Sequence, residues 1–300
     1  MKTTLDWLGT ATWRLKIGDL TLYLDAYMDR VPNAPPVGLS SKDVTEADYV
    51  LVGHSHFDHI AGAEVIAKNT GATVIGSHES CRVMRDCGVP DAQLLPSGGG
   101  ERHGLADGIT VRVFPSIHSC TWILTDAPSG AEEQGHTGLT QTERAACPGL
   151  VQRVMSFAAS GTEEGRIIME HVQNSAGSMT DGGPLVYLIE TPDLRIFFQD
   201  SSGCWGGVLD SIGAEIAILA AAGRANVDGE PVQGSMAQFL AMEAKLLGAS
   251  RVFIGHQDNW MPPITPAEFD MEPVHREMKA ATPMTELVEV GYLAGTLLCE

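Results

Sequence analysis

The sequence predicts an α/β sandwich in which central sheets are covered by helices on the outside. Three observations carry that expectation. Apolar runs of strand type alternate with stretches of helical spacing in two similar halves, residues 1–118 and 184–300. Runs such as "ADYVLVG" and "AEIAILAA" are continuously apolar, as in strands buried on both faces. Polar residues able to bind a metal stand where several of these runs end.

Taken in order, "TLDWLG", "TWRLKIG" and "LTLYLDA" read as a meander of short strands with Gly and Asp turns. "ADYVLVG" is a buried strand, followed by a helix over "HIAGAEVIAKNTG" that Gly71 closes. The strand "ATVIG" precedes a helix over "SHESCRVMRDCG" closed by Gly88, "SGGGERHG" reads as a turn, and the strand "GITVRVFPS" delivers His118. In the second half, "PLVYLIE" and "LRIFFQD" form a hairpin over "TPD", "AEIAILAA" is buried, "SMAQFLAMEAKLLGA" is a helix, and "RVFIGH" ends at His256. The C-terminal "AATPMTELVEVGYLAGTLL" is too short and interrupted to span a membrane, and reads as a packed helix or strand, or an oligomer contact.

Residues 119–183 differ in composition, being rich in Gly, Ser, Thr and acid. So long a connection inside a compact domain is usually an active-site lid, a binding loop or a disordered excursion, and a tolerated surface insertion is the plainer alternative. The expectation is one domain over 1–300 with an insert at about 119–183 that shapes the site, because it starts directly after His118.

The chain has 300 residues and is 44% hydrophobic, enough for a substantial core. With 38 acidic against 19 basic side chains the formal charge is −19, which repels a polyanion, so nucleic acid is an unsuitable partner. The charged N-terminus lacks the apolar stretch of a signal peptide or membrane span, and the expected location is cytoplasmic. Six scattered cysteines without a C-x-x-C pair read as mostly reduced, buried small hydrophobes; only Cys204, near Asp200, invites a functional reading.

"HSHFDH", residues 54–59, places three of the ten histidines and an aspartate behind a buried strand. A strand end turning into a helix can present His54, His56, Asp58 and His59 around a small volume. Imidazole and carboxylate suit zinc, and also manganese or iron. A catalytic zinc usually takes three protein ligands, so four clustered ligands with His118, Asp200 and His256 downstream point to two divalent ions.

This ordered set, with the opening "LDWLGTATWRLKIGDLTLYLDA", resembles the metallo-β-lactamase fold superfamily of hydrolases, and looks most like the branch containing ascorbate-6-phosphate lactonase. The resemblance implies an αβ/βα four-layer sandwich with two mixed sheets. It implies that His54, His56 and His118 hold one ion, Asp58, His59 and His256 the second, and that Asp200 bridges both. Gln199-Asp200-Ser201 stands where many relatives carry Gly-Asp-Thr, and an aspartate where several true β-lactamases have a cysteine ligand, which speaks against β-lactam hydrolysis.

The activity so implied is a binuclear metallohydrolase of a small molecule, a metal-bridged hydroxide attacking an ester or lactone carbonyl, with Asp58 orienting it. The alternative is a phosphodiesterase acting on a small or cyclic phosphodiester, which Arg153, Arg166 or Arg224 near the site would favour. An iron-dependent redox enzyme and a non-catalytic binding protein are the further readings. His136, His171, Asp258 and Tyr187 are candidates for the leaving-group acid, and Asp25 for the acceptor that orients a ligating histidine. His78, His103 and His275 read as surface or capping residues.

Overall fold

The computed structural model describes residues 1–147 and 149–300; Pro148, inside the insert, lies outside the described residues. One seven-stranded sheet runs, in spatial order, Thr296–Cys299, Thr3–Trp7, Trp13–Ile17, Leu20–Leu24, Tyr49–Leu51, Thr73–Gly76 and Leu94–Pro96. A second runs Glu286–Val288, Arg251–Gly255, Ile216–Ala220, Arg195–Phe198, Leu185–Glu190, Ile109–Pro115 and Arg102–Ala106. Both sheets are mixed, with antiparallel meanders joined to parallel strands.

Side chains alternate across each strand, and the two periodic faces bury against different partners. Leu51 faces the layer between the sheets, with Leu15 and Ile75, against Val113, Phe198 and Phe253 of the other sheet. Its neighbours Val50 and Val52 face outward onto Ile66 and Met84, from the helices Ala63–Thr70 and His78–Asp86. In the second sheet Ile216 and Ile218 point inward, while Ala217 and Leu219 meet Leu240 and Val274, from the helices Met236–Leu247 and Glu272–Ala281. A strand covered on both faces has no polar positions, hence the unbroken apolar runs. Each large aliphatic or aromatic side chain so buried contributes roughly 1.5–3 kcal/mol. The result is an αβ/βα sandwich of four layers.

Three stretches depart from the expectation. The helix over "HIAGAEVIAKNTG" is broken at Gly62, whose left-handed backbone (φ 104°) separates the turn Phe57–Ile60 from the helix Ala63–Thr70 that Gly71 closes. "SGGGERHG" is a turn only to residue 100; Arg102–Ala106 is an edge strand paired with Ile109–Pro115. The C-terminal stretch is neither one helix nor one strand: Glu286–Val288 joins the second sheet beside Arg251–Gly255, and Thr296–Cys299 joins the first beside Thr3–Trp7. The insert, legible only as polar and glycine-rich, carries three helices, Gln141–Ala145, Leu150–Ala158 and Glu163–Asn174. Thr140 and Glu143 cap the first reciprocally, and the Thr162 hydroxyl accepts from the Gly165 N–H to start the third.

Candidate metal centre

Past Tyr49–Leu51 the chain turns at Gly53, and the helical turn Phe57–Ile60 starts behind His56. A Cβ on Gly53 would stand 2.1 Å from Asp200 Cγ, so only glycine admits that carboxylate. The Ser55 N–H donates to the Asp181 carbonyl (2.9 Å) and the Ser178 N–H to the Ser55 carbonyl (2.8 Å), so the end of the insert braces the histidine turn. His118 follows Ile109–Pro115, and its carbonyl accepts from Asn226 Nδ2 at 2.8 Å. His256 follows Arg251–Gly255 in a left-handed conformation (φ 64°), its N–H donating to the Thr10 carbonyl at 2.7 Å. Asp25 and Thr10 also have positive φ, and such backbone tends to concentrate at functional sites.

The structure brings all seven expected residues together, and their ligand atoms fall into three overlapping groups: His54, His56 and His118; Asp58, His59 and His256; and His54, His59 and Asp200. In the first, His54 Nε2 lies 3.1 Å from His56 Nδ1 and 3.2 Å from His118 Nε2. In the second, His59 Nε2 and His256 Nε2 are 3.2 Å apart, and Asp58 Oδ2 is 3.6 and 3.5 Å from them. Two nitrogens on one zinc at its usual bond length sit roughly 3.3 Å apart.

The outer nitrogens decide what the inner ones can be. His118 Nδ1 faces the Ser119 carbonyl and the Ser119 hydroxyl, both at 3.1 Å; with the ring proton on Nδ1, donated to the carbonyl, Nε2 is bare. His54 Nδ1 faces Asp200 Oδ2 at 2.6 Å, and His59 Nδ1 faces Asp25 Oδ2 at 2.8 Å and Asp200 Oδ2 at 3.3 Å. Carboxylates there hold the protons on Nδ1 and turn bare Nε2 lone pairs toward one another. Such lone pairs repel unless a cation sits between them, so the donor set fits two divalent ions. Asp25, whose Oδ1 also accepts the Gly53 N–H at 2.9 Å, is the ring-orienting acceptor expected of it. Asp200 joins one histidine of each triad, but through their Nδ1 atoms, so these contacts brace the rings and do not themselves describe a bridge.

Burial first, then the neighbouring imidazoles, holds His54 and His59 well below the ordinary histidine range and His56 down to about 4. These rings are neutral at pH 7, the form that binds metal, so their contacts with Asp25 and Asp200 are hydrogen bonds between a neutral ring and an acid. Burial pushes Asp25 and Asp200 upward. At Asp58 burial acts the same way, but His59, His256 and His56 outweigh it and hold the carboxyl far below the usual range. Asp58 is the ionised carboxylate that faces the site.

Beside the triads lies a cavity of about 250 Å³, lined by His56, Asp58, His59, His118 and His256. The insert supplies Val154 and Val172 to its walls, and the segment after His256 supplies Trp260 and Ile264. Phe57 and Trp260 are residues that sequence reasoning passed over; the only signal was their place directly beside His56 and after His256. None of the four candidate acids stands free in the cavity. Tyr187 is buried and donates to the Val52 carbonyl at 2.6 Å; His171 meets Tyr27 Oη at 2.9 Å and is not part of the lining; His136 is exposed and also outside it. Asp258 does line the cavity, yet accepts from Arg30 Nη1 (2.5 Å), Tyr292 Oη (2.6 Å) and the Thr10 N–H (3.0 Å). Cys204 is fully buried with its thiol pushed far up by that burial, and packs as a small apolar residue.

Residues 21–147 match the model of the β-lactamase superfamily domain. A UPF0173 metal-dependent hydrolase of Pyrobaculum islandicum is 32% identical over 124 residues, 41% of this chain and 53% of that protein. The chain thus spans about half the length of the curated relatives it matches. Among solved structures, Igni18, a metallo hydrolase from Ignicoccus hospitalis, superposes with a TM-score of 0.61 at 15% identity, covering 99% of this chain and 98% of that one. CmlA, a diiron β-hydroxylase from Streptomyces venezuelae, superposes at 0.57 and 12% identity, covering 96% of this chain and 53% of that one. At such identities these two likenesses bear on the fold alone. With the four-layer sandwich and the H-x-H-x-D-H turn at its strand ends, residues 21–147 of this chain are similar to the β-lactamase superfamily domain.

Proposed function

We propose that this protein is a binuclear metal-dependent hydrolase that opens an ester or lactone. The observation that carries the reading is the pair of triads, in each of which imidazole nitrogens about 3.2 Å apart converge with a carboxylate or a third histidine. Bound divalent cations, zinc in the first instance, would lower the pKa of a water shared between them and polarise a substrate carbonyl. His54, His56 and His118 would hold one ion, and Asp58, His59 and His256 the other. Asp25 and Asp200 keep the ring protons on Nδ1 and the ligating nitrogens turned inward, with Asp200 the one residue joined to both triads. Asp58, ionised and facing the cavity, accepts a hydrogen bond from the attacking water and so orients its oxygen toward the carbonyl. Water adds across the acyl C–O bond, giving a carboxylic acid and an alcohol, or a hydroxy acid from a lactone. The curated relatives named as metal-dependent hydrolases support metal-dependent hydrolysis.

Elemental analysis of protein purified without chelator should find about two ions per chain, and chelation should abolish hydrolysis of a lactone and ester panel. His56→Ala and Asp58→Ala should each lose metal and turnover together, with the circular dichroism unchanged. Full turnover by either variant without metal would sink the mechanism. Iron in the protein with oxygen consumption and no hydrolysis would transfer the site to the oxidative chemistry for which CmlA is named.

A further inference from the structure

We propose that the site takes an uncharged substrate carrying an apolar arm of several carbons, which lies in a pocket that the insert closes over the metal centre. The identity of the reacting group rests on the hydrolase reading above; the arm rests on the cavity alone.

The apolar wall begins at the metal triads. The Trp260 ring centroid is 5.6 Å from that of His256 and 6.1 Å from that of Phe57, the neighbour of Asp58. Tyr27 stands edge-on to both rings, at 5.7 and 5.8 Å, and fixes them from behind. Val154 and Val172, from the insert helices, pack on the same cluster and line the cavity. Ile264 and Phe269 belong to the same lining.

The charged groups in the lining beyond the triads are already engaged. Arg153 Nη1 lies 2.5 Å from Asp126 Oδ1, Glu133 is 3.3 Å from the buried Arg224, and Asp258 is 2.5 Å from the buried Arg30. Among the described residues Arg153 is the one cation of the lining, so a phosphate or carboxylate at the far end of a substrate would find no free partner. Arg166, the remaining cation that would have favoured phosphate, is paired with Glu163 and Glu170 on its own helix. A methylene entering such a wall is removed from water at each step, which strengthens binding about threefold to fourfold per carbon when burial is complete.

The test is calorimetric titration of the protein as purified with straight-chain amides from butanamide to decanamide, and with adipic acid monoamide as the charged-arm counterpart of hexanamide. Affinity should rise about threefold per added methylene, and the charged arm should cost at least about tenfold. The exposed Met155, at the cavity rim, gives a variant that spares the core: Met155→Glu should weaken decanamide far more than butanamide. Affinity flat with chain length, or equal for charged and uncharged arms, overturns the inference. Rates on p-nitrophenyl acetate, butyrate and octanoate separate the two readings. Length-dependent binding of amides with no metal-dependent hydrolysis of any ester keeps the pocket and ends the hydrolase reading. Metal-dependent hydrolysis indifferent to chain length, with amide binding equally indifferent, does the reverse.

Discussion

The hydrogen on the Gly53 α-carbon fixes where Asp200 can lie, since a methyl there would overlap the carboxyl carbon at 2.1 Å. Neither side can yield cheaply: Gly53 is tied through its N–H to Asp25 and through its carbonyl to Leu185, and Asp200 is fully buried under two histidine rings. Gly53→Ala should therefore cost about 1–3 kcal/mol in denaturant unfolding, as overpacked cores do, and should lower metal content because the His54 and His59 rings lose their brace. Unchanged stability and metal content would show that the close approach is dispensable. The seven residues that converge in the candidate centre were legible in the sequence because metal sites need several strong donors at rigid strand ends, and four of them fall within "HSHFDH". The clamp behind His256 was not. Asp258 read as a candidate acid, yet it is held by Arg30, Tyr292 and Thr10, partners up to 248 residues away in sequence, and no local pattern reports such a pairing.

Among the elements, Glu163–Asn174 shows how the insert is fastened over the cavity. Ile168 is fully buried with Trp260 and Met261, and His171 Nε2 meets Tyr27 Oη at 2.9 Å. Burial lowers the His171 pKa, with Asp29 opposing. A neutral ring accepts the Tyr27 proton; a protonated one cannot. Because the folded pKa lies below the ordinary 6.5, the unfolded helix binds a proton first as pH falls. The contribution is thus fully present above pH 6.5 and is lost as pH drops through the folded value. Hydrogen exchange of amides 163–174, corrected for intrinsic rates, should show protection falling by an amount on the order of 1 kcal/mol between neutral and acidic pH. His171→Phe should flatten that dependence, and a wild-type profile already flat would remove His171 from the docking. The sheet strands could be read from the sequence because both faces are covered, which forces unbroken apolar runs such as "AEIAILAA". The insert helices could not, since each buries one narrow side: Val154 with Phe157, and Ile168 with Val172, against otherwise polar sequence. Their caps at Thr140 and Thr162 are visible signals that compositional reading passed over.

Across the whole molecule the charge of −19 makes the acidic groups govern how stability follows pH, and the buried ones weigh most. Glu243 is fully buried on Met236–Leu247, and neither of its oxygens has a hydrogen-bond partner within ordinary geometry, although the Gln199 and Cys204 side chains lie beside it. Gln199 Oε1 is likewise without a donor. Buried acceptors without a donor are costly, and a proton on Glu243 removes the charge that burial penalises most. Burial accordingly pushes the Glu243 carboxyl up to about 8, the neighbouring Gln199 and Cys204 pulling the other way. In the unfolded chain this group titrates near its ordinary 4.5, so between that value and about 8 the folded state holds the extra proton. Stability from this group is full below pH 4.5 and declines as pH rises through 8. At about 1.4 kcal/mol per unit, the loss over the window is on the order of a few kcal/mol. Glu243→Gln keeps the shape and the donor but cannot ionise. Urea midpoints measured for both proteins near pH 4.5 and pH 8.5 should agree at the lower value and diverge at the higher, with the variant the more stable. Parallel midpoints at both values would mean that Glu243 carries no proton to lose, and that its oxygens are satisfied by some other contact in solution.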